Sequence, residues 1–124
     1  MSKRSFPFRA HASLALMIAS LMASGPVLAS YTCAGPVVGL TLVPDGTVFA
    51  EQIAGINKVY LCKLNGTTTL NTSTDTCKSI YAMLLSAQTT GKAVMLWFED
   101  SLTCNTHPTW AGLTGWYFGP QLQN

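Results

Sequence analysis

The residues that could do chemistry are few, and several of them lie between positions 99 and 107. Glu99 and Asp100 are adjacent, and Cys104 and His107 have the Cys-x-x-His spacing found in some metal sites. A zinc site needs two more ligands and a reduced sulfur, and a glycosidase needs two carboxylates that face one bond. Neighbouring residues of a strand point to opposite faces, so Glu99 and Asp100 do not meet that need. We therefore expect no catalytic residue, no metal and no cofactor, and predict that the chain is not an enzyme.

The N-terminal segment is typical of a secretory signal peptide. Basic residues come first, an apolar run extends from Leu14 to Ala23, and Val27-Leu28-Ala29 is a small-x-small cleavage sequence. The apolar run is shorter than the roughly 20 residues that span a bilayer. We predict a signal peptide over 1–29 and one secreted or periplasmic domain over 30–124, with no membrane span.

Removing that segment changes the charge of the chain. The remaining 95 residues carry four lysines and five acidic residues, a net charge of −1. Nucleic-acid binding depends on neutralising phosphates with basic residues, so this class of partner is excluded. A solvated surface typically holds about 25–35% charged residues, far more than nine in 95. One explanation is that partner subunits of a homo-oligomer, or a ligand, cover part of the surface.

The cysteines favour a structural role. Nucleophilic cysteine chemistry needs a free thiolate, whereas an even number of cysteines in a small exported chain favours disulfides. Cys33, Cys62, Cys77 and Cys104 allow three pairings. His107 is the only histidine after position 29. It lies beside Pro108 in a predicted loop, where a lone histidine is expected at the surface.

Hydrophobic periodicity and turn residues divide the domain into three strands, one helix and two strands. Ser73, Thr74 and Asp75 suit a helix N-terminus, and Gly91 suits its end. An apolar stripe runs along the helix from Cys77 through Leu84 and Leu85 to a polar end at Gln88. The strands are predicted over Pro36–Val43, Thr47–Gln52, Lys58–Leu64, Ala93–Phe98 and Gly115–Leu122.

This β-β-β-α-β-β order predicts a mainly β fold with one helix, a small five-stranded OB-fold-like barrel. In such a barrel the first and fourth strands are antiparallel neighbours. Cys33 precedes the first strand and Cys104 follows the fourth, so we favour a Cys33–Cys104 disulfide, which leaves Cys62 to pair with Cys77.

Two sequence patterns carry a resemblance to a known group. T-C-K-x-x-Y-x-x-L-L-x-A begins at Thr76, and T-G-K-x-V begins at Thr90 and leads into a strand. Between Tyr60 and Phe98 the chain resembles the receptor-binding B subunits of secreted bacterial toxins, the subtilase-cytotoxin and pertussis-like group. The resemblance implies an OB-fold, a ring of five subunits, a cell-surface glycan as ligand and a toxin catalytic subunit as partner. No glycan-contacting residue of that group aligns onto this chain.

Aromatic residues near the C-terminus are the candidates for ligand binding. Trp110, Trp116 and Tyr117 lie close in sequence to polar side chains such as Asn105, and aromatic rings with hydrogen-bonding neighbours suit carbohydrate. We expect no core partner for Trp110, which follows Cys104 in a loop. The opposing interpretation is that Trp116 or Phe118 closes the barrel. The sequence thus favours a secreted, non-catalytic glycan-binding module; the alternative is a monomeric secreted protein that binds or inhibits another protein.

Overall fold

The computed structural model describes residues 29–66 and 72–124. The predicted signal peptide, 1–29, lies outside this part of the chain except for Ala29, and so does the middle of the polar loop predicted between the third strand and the helix. Within the described ranges no helix is long and apolar enough to cross a bilayer.

The described residues form eight strands and one helix. In chain order these are β1 (Tyr31–Gly35), β2 (Val37–Val38), β3 (Thr41–Leu42), β4 (Thr47–Ile53), β5 (Ile56–Lys63), α1 (Thr74–Thr90), β6 (Val94–Phe98), β7 (Ala111–Gly112) and β8 (Trp116–Leu122). The prediction of a mainly β fold with one helix is confirmed in outline, with short additional strands at both ends of the domain.

The strands form two hydrogen-bonded sheets and not a closed barrel. One sheet has the order β1-β6-β8, and both of its pairings are antiparallel. In the other sheet, β2 and β3 both pair with β4, β4 pairs with β5, and β5 pairs in parallel with β7. The part of the prediction that specified a closed barrel is therefore not met by these pairings.

The beginning of the domain differs from the sequence prediction. The first strand starts at Tyr31 and contains Cys33, which pairs with Leu96 of β6. Next comes Pro36, which has no N–H to donate to a ladder, and the chain beyond it pairs with β4. The predicted strand over Pro36–Val43 is thus two short strands, and β1 contributes the pairing to the fourth predicted strand.

Helix α1 begins and ends where its capping residues predict. Ser73 accepts a hydrogen bond from the Thr76 N–H at 3.2 Å, which satisfies one of the free donors of the first turn. Gly91 ends the helix in the left-handed conformation, with φ at 69°, and its N–H is bound to the Ala87 carbonyl.

The core lies between α1 and the inner faces of the sheets. The helix contributes Cys77, Ile80, Leu84 and Ala87, and the central strands contribute residues such as Ile53, Leu61, Leu96 and Phe98. The predicted apolar stripe is confirmed at Leu84, which is fully buried. The prediction is wrong at Leu85, which is 42% exposed.

Two disulfides join the elements of this core. Cys33 is bonded to Cys104 with a Cα–Cα distance of 5.6 Å, and Cys62 to Cys77 with 5.7 Å. These are the pairs that the strand order favoured. The first ties β1 to the segment after β6, and the second ties β5 to the first turn of α1. Disulfides persist in oxidising compartments, so these bonds fit an extracellular or periplasmic protein.

The neighbouring leucines of α1 provide a matched test of this packing. Leu84→Ala should lower the free energy of unfolding by about 2–5 kcal/mol, because a buried side chain is lost and a cavity remains. Leu85→Ala should change it by no more than about 0.5 kcal/mol, as at other exposed sites. Denaturant unfolding of the oxidised variants measures both values. Similar losses in the two variants would mean that the helix is rotated from the orientation described.

Candidate functional site

Of the four candidate binding residues, Trp116 and Tyr117 line one hollow, and the described lining of that hollow includes neither Trp110 nor Asn105. The side chains of Trp110 and Tyr117 are 60% and 53% exposed, and Asn105 is exposed as well. Trp116 is half-buried and packs against the core. Its indole N–H donates to the Leu113 carbonyl at 3.1 Å, so it offers a ligand only part of its ring.

Trp110 has a packing partner that the sequence did not reveal. Its indole stacks on the buried ring of Phe49 in β4, with centroids 5.2 Å apart and planes 9° apart. Phe49 in turn contacts Tyr60 of β5 at 5.3 Å, and Lys58 Nζ lies 5.6 Å from the Trp110 ring. We call Trp110, Phe49, Tyr60 and Lys58 the aromatic platform. Because Phe49 is buried, the stack holds an exposed indole in one orientation.

The backbone of the platform is held in an uncommon conformation. Trp110 and Lys58 both have positive φ, at 58° and 52°, in a backbone region that residues other than glycine seldom occupy. The Trp110 N–H donates to the Lys58 carbonyl at 2.6 Å, and the next residue, Ala111, pairs with Val59. Such conformations cost about 1–3 kcal/mol and persist where surrounding contacts fix them. The parallel pairing of β5 and β7 supplies those contacts.

The segment that leads to Trp110 is fixed by three polar side chains, of which His107 is buried and Tyr31 and Asp100 are half-buried. Tyr31 Oη donates to Asp100 Oδ1 at 2.5 Å and lies 2.9 Å from His107 Nε2. Asp100 Oδ1 also accepts from the Leu102 N–H at 2.9 Å. We call Tyr31, Asp100 and His107 the Tyr–Asp–His cluster. It joins β1 to both halves of the segment between β6 and β7.

His107 is buried, so the expectation of a surface histidine is wrong. Its side chain is 8% exposed and its ring lies 4.7 Å from that of Phe98, centroid to centroid. Phe98 also stacks on Tyr31 at 5.2 Å. No local pattern indicated this burial, because Tyr31 precedes His107 by 76 residues along the chain.

The electrostatics of the cluster favour neutral side chains on Tyr31 and His107. Burial, with hydrogen bonding and charge from Asp100, raises the pKa of Tyr31 well above its usual value. Burial also lowers the pKa of His107, and the negative charge of Asp100 opposes that change only in part. Since the Tyr31 proton is directed to Asp100, the network assigns the other proton to His107 Nε2, which donates to Tyr31 Oη.

The Cys104-x-x-His107 spacing does not form a metal site in this structure. The Cys104 sulfur is bonded to Cys33, and His107 Nε2 faces the Tyr31 hydroxyl. Asp100 has its second oxygen, Oδ2, buried without a hydrogen-bond partner. This oxygen lies against Gly115, where a Cβ atom would clash with it.

A second exposed surface lies along β8. Tyr117 and Phe118 are 53% and 58% exposed, and together with Met83 of α1 and Pro120 they line an open groove of about 600 Å³. We call these four residues the β8 surface. Phe118 packs edge-on against Trp97 of β6, with centroids 5.0 Å apart. Phe118 therefore packs outside the core, contrary to the interpretation that it closes the barrel.

A smaller hollow adjoins the β8 surface at the start of α1. Tyr117 and Trp116 share it with the hydroxyl-bearing residues Ser73 and Thr76, and its volume is about 440 Å³. Neither this hollow nor the β8 groove is lined by a charged residue among the described ones. These walls suit a neutral ligand, whereas the aromatic platform carries the ammonium group of Lys58.

Comparison with protein-family models, with curated proteins and with solved structures found no match.

The buried histidine predicts how stability depends on pH. The folded-state pKa of His107 lies below its unfolded value of about 6.5. Above about pH 6.5 both states are neutral there, so the contribution to stability is complete. As the pH falls below about 6.5, the unfolded state binds a proton that the folded state resists, and the free energy of unfolding falls by at most about 1.4 kcal/mol per pH unit.

Denaturant unfolding between about pH 7.5 and pH 5 measures this slope. His107→Gln places an amide donor near the position of Nε2–H, and this amide does not titrate. The variant should therefore show a flatter dependence of the free energy of unfolding on pH in that window. Asp45, whose pKa is lowered to about 2 by hydrogen bonds from Thr47 and by Lys63, loses its contribution only at lower pH. An equal slope in wild type and His107→Gln would contradict a buried, neutral His107.

Proposed function

We propose that the chain is a secreted, non-catalytic module that binds glycans through the aromatic platform. The observation that carries this proposal is the Trp110 indole, which is 60% exposed and stacked almost parallel on the buried ring of Phe49. A pyranose ring presents a face of C–H bonds that packs on an aromatic plane. A rigid aromatic side chain loses little conformational entropy when a ligand binds to it.

The ammonium group of Lys58, which lies over the indole ring, can select among sugars. Lys58 Nζ lies 5.6 Å from the indole ring, and the described residues place no carboxylate within ion-pair distance of it, whereas Lys63 and Lys78 are paired with Asp45 and Asp75. The three N–H donors of the Lys58 ammonium group are therefore available to bind hydroxyl or acidic groups of a sugar. A site of this kind combines apolar contact with a few polar groups that set orientation.

The strand pairings support an OB-fold-like architecture for the proposed module. β1 pairs with β6, whereas β2 and β3, which follow it, pair with β4. Taken together, these three short strands make the two pairings that a long first strand of such a fold would make. In the same way β7 pairs with β5 and β8 pairs with β6. An OB-fold fits the resemblance to toxin B subunits, and with it we propose assembly into a ring and a toxin catalytic subunit as partner. Size-exclusion chromatography with light scattering tests the ring.

A second candidate function rests on the β8 surface. Exposed aromatic and apolar residues that adjoin one another commonly mark contacts with another protein. Met83, Tyr117 and Phe118 form such a patch beside the β8 groove. A monomeric secreted protein that binds or inhibits another protein would use this surface, and replacement of Trp110 would then leave its activity intact.

A glycan array probed with the oxidised protein over 30–124 tests the first proposal. Trp110→Ala should weaken binding to any glycan retained by the wild type by about 2 kcal/mol or more, roughly 30-fold, as the loss of an aromatic hot spot does. Circular dichroism should show an unchanged fold, since the lost ring stack contributes only about 0.5–1.5 kcal/mol.

Tyr117→Ala is the matched control, because it removes an aromatic ring of similar exposure from the β8 surface. Its glycan binding should remain within about 1 kcal/mol of wild type. The reverse pattern, with binding lost in Tyr117→Ala and kept in Trp110→Ala, would move the site to the β8 surface. An array with no retained glycan would reject the proposed ligand class.

A further inference from the structure

The Tyr–Asp–His cluster and the aromatic platform are parts of one short segment. Only Pro108 and Thr109 separate His107 from Trp110, and proline holds its own φ nearly fixed. Few free backbone dihedrals therefore separate a displacement of the His107 backbone from Trp110. Trp110 has a positive φ, a conformation that persists only while its surroundings enforce it.

We propose that the Tyr–Asp–His cluster is a pH-responsive device, in which protonation of His107 loosens the segment 100–110 and moves the Trp110 indole. The neutral imidazole fits its site, because Nε2–H donates to Tyr31 Oη and the ring packs on Phe98. The imidazolium fits poorly, since a charge placed among aromatic rings loses its hydration. The proton comes from solvent and returns to it, so the change is reversible.

The charged and titratable groups around His107 determine the direction of this response. Among the described residues, Tyr31 faces it from β1 and Asp100 faces it through the Tyr31 hydroxyl, while Phe98 of β6 is uncharged. Asp100 attracts the cation but does not bond to it directly. Its Oδ1 accepts from Tyr31 and from the Leu102 N–H, and its Oδ2 lies against Gly115. The cluster thus lacks a direct counter-ion contact for imidazolium.

Other contacts limit how far the segment moves. The Cys33–Cys104 disulfide holds its middle, and the bond from the Trp110 N–H to the Lys58 carbonyl holds its end. The part free to respond is the stretch from Asn105 to Thr109, together with the indole at its end. Acidification would therefore change the placement of Trp110 without unfolding the domain. If Trp110 is the glycan-binding residue, as proposed above, the same change releases ligand in acidic surroundings.

Nuclear magnetic resonance of the oxidised domain tests the device without any ligand, so the result does not depend on the glycan proposal. The His107 ring signals and the three tryptophan indole N–H signals are followed from about pH 8 to about pH 5. Trp110→Phe identifies the Trp110 signal. Trp97 is the internal control, because its ring contacts Phe118 on the opposite face of β6 from Phe98.

The expected result is that His107 and Trp110 titrate with a common midpoint below about pH 6.5, while Trp97 stays flat. In His107→Gln the Trp110 signal should also stay flat. A Trp110 signal that does not follow His107 in the wild type overturns the proposal, as does absence of any His107 titration above pH 5. A titration of Trp110 that persists in His107→Gln overturns it too. If that variant does not fold, the wild-type comparison decides alone.

Discussion

The segment between β6 and β7 has little regular structure, and its placement depends on the hydroxyl group of the half-buried Tyr31. Tyr31 Oη lies between Asp100 at the start of this segment and His107 near its end. It therefore gathers both halves of the segment against the first strand, next to the disulfide from Cys33 to Cys104. The ends of the segment are bonded next to the ladders, Glu99 to the Gly115 carbonyl and Trp110 to the Lys58 carbonyl. The residues from 100 to 109 belong to no ladder, so their placement rests on these side-chain contacts and the disulfide.

The small size of the domain explains why covalent bonds support these contacts. A domain of about 60 to 150 residues buries only some 60–70% of its unfolded surface, so its hydrophobic core leaves a narrow margin of stability. By loop-closure entropy, the Cys62–Cys77 bond contributes about 3 kcal/mol and the Cys33–Cys104 bond somewhat over 4 kcal/mol. The second value is larger because 71 residues separate its cysteines, against 15 for the first. Both bonds leave the indole of Trp110 and the β8 surface exposed.

Local signals in the sequence predicted α1 and most of β4, β5, β6 and β8, because capping residues and periodicity act over a few positions. Gln88 shows how far such signals extend. Periodicity placed it at the polar end of the helix stripe, but did not indicate that its side chain accepts a hydrogen bond from the Leu40 N–H at 2.8 Å. The two-residue strand β7 was missed, since the strand it pairs with, β5, lies about 50 residues earlier. The stack of Trp110 on Phe49 and the burial of His107 depend on the same kind of distant contact. The sequence could therefore suggest Trp110 as a binding residue but not the platform that orients it.

Hydrogen exchange at the Trp110 amide measures most directly whether this segment holds the indole in one place. We expect protection comparable to that of the Leu113 amide, because Trp110 donates to the Lys58 carbonyl and Leu113 to the Tyr60 carbonyl, at 2.6 and 2.8 Å. Amides with such bonds exchange only when the structure around them opens. Exchange of the Trp110 amide at the rate of an unprotected loop, with Leu113 still protected, would contradict the claim that the cluster and the disulfide fix the aromatic platform.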